Sequence, residues 1–384
     1  MIRDAETLQL LLDSLSRFVR ERLLPQETVV AETDQIPADI VSDMKDMGLF
    51  GMSIPETYGG MGLTMEEEVM AGFEIAYASP AFRSLFATNN GIGAQGIVID
   101  GTPEQKQHYL PRIATGEIIG SFALTEPDSG SDAASLRTSA VRDGDSYVLN
   151  GTKRYITNAP EAGIFTVMAR TDLKSRSADG ISAFIVERGT PGLSLGQIEK
   201  KMGQKGAHTC DVIFENCRIP VANLIGNQEG VGFKTAMKVL DKGRLNIAAA
   251  SVGAATRMLG DALRYARERK QFGKPIGEFQ LIQAMLADSH TEIYAARCMV
   301  IDAARKRDEG RNIGTESACA KLFASEMCGR VADRAVQIFG GAGYLAEYGI
   351  ERFYRDVRLF RIFEGTSQIQ QLVIARNLMR DGAG

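Results

Sequence analysis

The sequence predicts a chain in three parts: an all-α segment over residues 1–117, an antiparallel β domain over 118–227 and a helical bundle over 228–384. Three observations carry that reading. Apolar residues recur at helical spacing through the first third. Short apolar runs separated by glycine turns fill the middle. Helical periodicity then returns over long stretches. A hydrophobic fraction of 44% beside 24% charged residues is the balance of a large globular core.

Leu8, Leu11, Leu12, Leu15, Phe18 and Val19 mark a first helix, expected to end at Pro25. Ile40, Val41, Met44 and Met47 mark another, stopped by Gly48. Thr64-x-x-Glu67 and Thr102-Pro103-x-Gln105 read as capping boxes that open helices, with a glycine-rich loop over 53–62. Strands are expected over 118–124, 146–149, 165–169, 181–186 and 212–214. The pairs Asp143-Gly144, Asn150-Gly151, Asp179-Gly180 and Pro191-Gly192 supply turns, so 141–158 reads as two tandem hairpins. Phe233, Ala236, Met237, Val239, Leu240 and Leu245 open a helix reaching about Arg269. A break over 271–277 precedes a second helix at 279–309. A third at 316–339 stops at Gly340-Gly341, and a last one follows Thr366.

Several function classes are excluded. A net charge of −4, from 44 basic against 48 acidic residues, supplies no basic field for nucleic acid. No 18-residue apolar run exists, so no membrane span is expected; the longest weakly polar stretch, 247–255, is far too short. The N-terminus has neither signal-peptide nor transit-peptide character, which points to a cytoplasmic protein. Five unclustered cysteines (210, 217, 298, 319 and 328) fit free, buried thiols in a reducing compartment. With three histidines, metal binding is poorly supplied. No G-x-G-x-x-G follows a strand, so any nucleotide cofactor is held another way.

Six stretches carry candidate chemistry, and each alone also fits an ordinary structural role. In residues 361–370 (R-I-F-E-G-T-S-Q-I-Q), Glu364 stands among apolar residues beside a glycine, where a helix begins. Desolvation there raises a carboxyl pKa towards that of a general base; the same residue fits a carboxylate complementing a helix N-terminus. Residues 122–132 (F-A-L-T-E-P-D-S-G-S-D) end a strand in a loop of hydroxyls and small residues. Such a loop suits a heterocycle or phosphate, or a polar surface turn. Residues 150–158 (N-G-T-K-R-Y-I-T-N) put an aromatic ring and a hydroxyl on a strand; core packing of Tyr155 is the alternative. Arg269 within 267–273 fits a pyrophosphate clamp or a helix C-terminal charge. Residues 337–341 (Q-I-F-G-G) end a helix in glycines, open to a ligand or simply a C-cap. In 240–244 (L-D-K-G-R), Arg244 could meet a phosphate or thioester tail.

In this order, T-E-P-x-x-G-S-D, N-G-x-K-x-x-I-T-N, E-R-x-x-F-G-x-P, Q-x-x-G-G-x-G-Y and E-G-T-S-x-I-Q resemble the acyl-CoA dehydrogenase family over essentially the whole chain. Short-chain and branched short-chain members look nearest, from D-K-G-R-L-N-I-A at 241–248. The resemblance implies a multi-domain fold: an N-terminal all-α domain, a middle antiparallel β-barrel domain and a C-terminal four-helix bundle. It implies α,β-dehydrogenation of an acyl-CoA thioester, with Glu364 as α-proton base, flavin N5 as hydride acceptor and electron-transfer flavoprotein as electron acceptor. FAD would lie against Phe122, Leu124, Thr125, Ser131, Tyr155, Ile156 and Thr157. Arg269, Gln271, Phe272, Gln337, Ile338, Gly340 and Gly341 would reach the FAD of a neighbouring subunit, so a homodimer or homotetramer follows. Thr366 and Gln368 would lie near the adenine half. Ser131, Asp241, Arg244 and Gly365 would contact acyl-CoA.

Two departures stand out. Tyr155 replaces the Trp of many relatives. Gly243 stands where isovaleryl-type enzymes carry the base, which leaves Glu364 without a rival. The segment at 79–84 (S-P-A-F-R-S) resembles glutaryl-CoA dehydrogenases, whose arginine meets a distal carboxylate. Ala76 and Ala87 replace their polar pocket positions, and Phe363 replaces the Tyr of decarboxylating members. Arg83 would therefore select an anionic acyl tail without decarboxylation; it equally fits a polar helix face. Flavin-dependent acyl-CoA oxidases or monooxygenases share the scaffold, and a non-catalytic helical binding protein is the remaining alternative.

Overall fold

A computed structural model describes residues 1–381; residues 382–384, the end of the third expected segment, lie outside the described residues. The N-terminal part is helical: α1 (Ala5–Phe18), α2 (Glu27–Thr33), α3 (Ala38–Asp46), α4 (Met65–Ile75), α5 (Pro80–Thr88), α6 (Ala94–Asp100) and α7 (Pro103–Ala114). Pro25 does not end the first helical run. A π turn at Val19–Leu23 and a 3-10 turn at Leu24–Gln26 carry the chain from α1 into α2. The proline sits in the first turn of the 3-10 segment, where a missing N–H is tolerated. The run ends instead at Asp34, in left-handed conformation. Both capping boxes form, Thr64 with Glu67 and Thr102 with Gln105. Gln105 also donates to the carbonyls of Ala222 and Leu224, tying the helices to the β part.

The middle part is a curled sheet of β1 (Gly120–Ala123), β2 (Ser139–Asp143), β3 (Ser146–Thr157), β4 (Ile164–Arg170), β5 (Ile181–Glu187), β6 (Leu193–Leu195) and β7 (Thr209–Pro220). Its order is β1-β4-β2-β3-β7-β6, with β5 paired to β4. It is not wholly antiparallel, because β1 runs parallel to β4 and β2 bridges β4 in parallel. Only one of the two expected hairpins exists, at Asp143-Gly144. Asn150-Gly151 lies inside β3, at a register shift against β7. Gly151 is there for close approach, not for a turn: a Cβ would stand 2.5 Å from the Thr138 hydroxyl. A second shift between Lys153 and Ile156 accompanies a left-handed Tyr155 (φ 58°). Bulges of this kind re-aim a side chain.

The last part holds four long helices, α8 (Gly232–Glu268), α9 (Gln280–Asp308), α10 (Gly314–Phe339) and α12 (Ser367–Asp381). A small hairpin of β8 (Lys270–Gln271) and β9 (Lys274–Pro275) joins α8 to α9. The short α11 (Ile350–Asp356), flanked by 3-10 turns, was not foreseen; seven residues are too few to show a period. Small residues along α8 and α10 form the bundle core, on which α4 also packs. Among the described residues no helix is long and apolar enough to cross a membrane, and no metal-binding cluster is found. Cys298 is exposed, against the expectation of buried thiols, whereas Cys210, Cys217 and Cys328 are buried.

Candidate active site

Glu364 stands at a sharp turn between the 3-10 turn Val357–Arg361 and α12. Glu364 (φ 51°) and Gly365 (φ 88°) are both left-handed, and the first of these is strained for a residue with a side chain. The surroundings fix the turn. Gln370 Nε2 donates to the carbonyls of Glu364 (3.2 Å) and Gly365 (3.0 Å), and Lys321 Nζ donates to Gly365 O at 2.7 Å. Thr366 Oγ1 accepts the Ile369 N–H and so caps α12, while the Ser367 hydroxyl bonds Glu326.

Held this way, the half-buried Glu364 side chain faces a cavity of about 560 Å³ that it helps to line. Its Oε2 has no hydrogen-bond partner. Burial pushes its carboxyl up to about 7, opposed by Arg83, Lys321 and Arg244. The carboxylate uses the space left by Gly243 on α8: a Cβ there would lie 1.8 Å from Oε2. The cavity is thus built around a free carboxylate with a pKa near neutrality.

One wall belongs to the sheet. Phe122, Leu124, Thr125 and Ser131, from β1 and the loop after it, line the cavity with Tyr155, Ile156 and Thr157 of β3. The β3 bulge leaves Tyr155 59% exposed, so it is not a core residue. The loop is pinned by a pair that sequence reading missed. Lys153, fully buried, donates to Glu126 Oε1 (2.7 Å) and Leu124 O (3.1 Å). Glu126 also accepts the N–H groups of Arg137 and Thr138. Burial pushes the Lys153 ammonium down to about 8. Burial would raise the Glu126 carboxyl, but Lys153 and the hydrogen bonds outweigh it and hold Glu126 below its usual value. The one available signal was the lysine inside a strand.

The opposite wall comes from α5 and α8. Arg83 lines the cavity and does not lie on an open helix face; its Nη2 donates to Asn246 O at 3.2 Å. Burial depresses its pKa, opposed by Glu364 and Glu68. Ala87 lines the same cavity, while Ala76 is packed in the bundle core. Arg244 also lines the cavity, and Asp241, one turn before it, holds it at 2.6 Å. Asp241 supports Arg244 and is not itself in the lining.

A second group of expected residues lies elsewhere. Arg269, Gln271 and Phe272 are exposed at the β8–β9 hairpin, Phe272 at 94%. Gln337, Gly340 and Gly341 are exposed where α10 ends. Ile338 is buried in the bundle core, against the expectation that it reaches a ligand. Thr366 is engaged as a cap, and Gln368 is exposed. None of these lines the cavity of its own chain.

The comparisons agree with this architecture. Three family models match consecutive parts of the chain: the acyl-CoA dehydrogenase N-terminal domain at residues 5–117, middle domain at 121–217 and C-terminal domain at 230–379. The short-chain specific mitochondrial acyl-CoA dehydrogenase of Homo sapiens is 42% identical over 375 residues, covering 98% of this chain and 90% of that protein. The caffeyl-CoA reductase-Etf complex subunit CarC of Acetobacterium woodii is 43% identical over 368 residues, covering 95% and 97%. The butyryl-CoA dehydrogenase structure from Megasphaera elsdenii superposes with a TM-score of 0.95 at 36% identity, covering 99% and 100%. Helices, curled sheet and bundle surround one cavity in the order those three models describe, and the chain belongs to the acyl-CoA dehydrogenase family of oxidoreductases.

Proposed function

We propose that this protein oxidises a short acyl-CoA thioester to the trans-2-enoyl-CoA, with Glu364 taking the α proton. The observation that carries the reading is the unpartnered Glu364 carboxylate, raised to about 7 by burial and facing a cavity of about 560 Å³. A carboxylate near pKa 7 is half ionised at neutral pH and is a stronger base than an exposed one. The thioester carbonyl must be polarised for the α C–H bond to break. The backbone N–H of Glu364, in its fixed turn, is the donor available for the developing oxyanion.

FAD suits the sheet wall. The hydroxyls of Thr125, Ser131 and Thr157 offer polar contacts, Phe122, Leu124 and Ile156 offer apolar ones, and Tyr155 presents an open ring. Around Gly130, in the same loop, a Cβ would meet nothing within 4 Å, which leaves room for a ligand. When bound, FAD accepts the hydride equivalent from the β carbon. Arg269, Gln271, Phe272, Gln337, Gly340 and Gly341 serve the cofactor of a neighbouring protomer, and Thr366 and Gln368 lie towards its adenine half. Exposed Phe272, Leu281, Tyr294 and Tyr344 support a homodimer or homotetramer. Ser131, Arg244 steadied by Asp241, and Gly365 bind acyl-CoA. The relative named as part of an Etf complex supports electron-transfer flavoprotein as the electron-transfer partner, which in the oxidative direction takes the electrons. The test is anaerobic bleaching of the flavin by butyryl-CoA: Glu364→Gln should keep FAD and lose bleaching, and bleaching at the wild-type rate would remove Glu364 from the reaction.

Arg83 favours a second reading, in which the acyl tail ends in a carboxylate. It lines the cavity without a carboxylate in ion-pairing distance among the described residues. A buried guanidinium gains most from a bidentate anion. This reading predicts oxidation of glutaryl-CoA without decarboxylation; a wild type that ignores glutaryl-CoA leaves the monocarboxylic substrate.

A further inference from the structure

Behind the Glu364–Gly365 turn, α10 carries a charge that the bundle does not need for packing. Lys321 is fully buried among small residues, including Ala320 and Ala324. Its Nζ bonds the Gly365 carbonyl at 2.7 Å, and among the described residues no carboxylate is within ion-pairing distance of it. An ammonium buried without a close counter-ion is costly, and an apolar side chain of similar length would fill the same space. Hydrogen bonding alone does not account for it, because Gln370 already donates to the same carbonyl. What the lysine adds is charge, one residue from the base.

We propose that Lys321 is a positioning residue for Glu364: its ammonium pins the Gly365 carbonyl, keeps the left-handed turn closed, and biases the neighbouring carboxylate towards its ionised form. The inference rests on the reading of Glu364 as the base.

The charged groups facing Glu364 are Arg83 from α5, Arg244 from α8 and Lys321 from α10. Those facing Lys321 are Glu364 and Glu326, which favour its charge, and Arg244, which opposes it. Burial brings the ammonium down to about 8, so it is mainly charged at pH 7. The three cations differ in one respect. Arg83 and Arg244 line the cavity, where an anionic substrate group can engage them; Lys321 does not. Its influence on the base therefore persists when the cavity fills.

The test uses the flavin-loaded enzyme. Anaerobic bleaching by butyryl-CoA is followed against pH in wild type, Lys321→Met, Lys321→Gln, Lys321→Arg and Gln370→Met. The Glu364 carboxyl band, identified by its loss in Glu364→Gln, is titrated by infrared difference spectroscopy without substrate. Loss of the Lys321 charge should raise the Glu364 pKa, so the acidic limb of the rate profile and the carboxyl titration both move to higher pH. Lys321→Met should also slow bleaching at pH 7 by roughly 10–100-fold through misplacement of the base. Lys321→Gln keeps a donor and should still move the limb, which covers a Met variant that fails to fold. Lys321→Arg should restore the limb, and Gln370→Met should slow the reaction without moving it. An unmoved limb and titration in folded Lys321→Gln overturn the inference. If Glu364→Gln is inactive in the same series, the base reading survives that result; if Glu364→Gln bleaches normally, the base reading itself has failed.

Discussion

Two glutamates set two regions of this molecule apart. Glu126, in the loop after β1, is buried and fully partnered: two backbone N–H groups and Lys153 hold its carboxyl below the usual range. Glu364, half-buried against the cavity, has Oε2 unpartnered, and desolvation takes its carboxyl up to about 7. Burial raises both; at Glu126 the contacting Lys153 charge and the hydrogen bonds outweigh it, whereas at Glu364 the charges of Arg83, Lys321 and Arg244 do not. A satisfied carboxylate becomes a strut that shapes the cavity wall. The unsatisfied one, the base of the proposed reaction, stands on a backbone turn that α10 and α12 hold in a strained conformation.

The sharpest break of the comparison removes the free carboxylate. Glu364→Gln should lower the rate of flavin reduction by about 10²–10⁴-fold, read by anaerobic stopped flow. Breaking the strut should act on stability instead. Lys153→Met leaves Glu126 buried without its cation, and a loss of about 3–5 kcal/mol is expected from denaturant melts, with weaker FAD retention. Filling the gap under the base comes next. Gly243→Ala puts a methyl where Glu364 Oε2 now sits, so bleaching should fall by roughly 10²-fold with little change in melting temperature. Arg83→Ala should be the mildest for butyryl-CoA and selective for glutaryl-CoA, measured as the ratio of kcat/KM values.

The two carboxylates should also respond to pH with opposite signs. Glu126, held low in the folded state, contributes stability above its unfolded pKa and loses it as pH falls through the lower folded value. Glu364, held high, costs stability that grows from its unfolded value near 4.5 up to about pH 7. Glu364→Gln should therefore gain melting temperature over wild type at pH 8 and show almost no gain at pH 4.5. Equal gains at both would place the effect outside this titration.

The long helices were legible because α8, α9 and α10 repeat the helical period over many turns, and the capping boxes at Thr64 and Thr102 mark entries by chemistry local to three residues. At Glu364 the neighbours Ile362, Phe363 and Gly365 suggested desolvation but fitted an ordinary helix-terminal carboxylate too, and the family resemblance singled the residue out. What stayed hidden depends on contacts between distant segments. Asn150-Gly151 has the composition of a turn, but Thr138 presses on Gly151 from β2 and keeps the strand running. Lys153 and Lys321 sit where periodicity calls for apolar residues, and only their partners, Glu126 and the Gly365 carbonyl, explain them. Arg83 could not be assigned to a surface or a cavity until α8 was placed against α5. The exposed residues Arg269, Phe272 and Gly340 do not line the Glu364 cavity, so a role for them is part of the proposal of a neighbouring copy.

The most direct measurement reads the base without any redox step. Acetyl-CoA has α protons but no β carbon, so it can be deprotonated and not oxidised. Exchange of its methyl protons for deuterium in D₂O, followed by proton NMR with the flavin-loaded enzyme, isolates proton removal. The account predicts exchange by wild type, with an acidic limb near pH 7, and none above background in Glu364→Gln. Exchange in Glu364→Gln at the wild-type rate would contradict it.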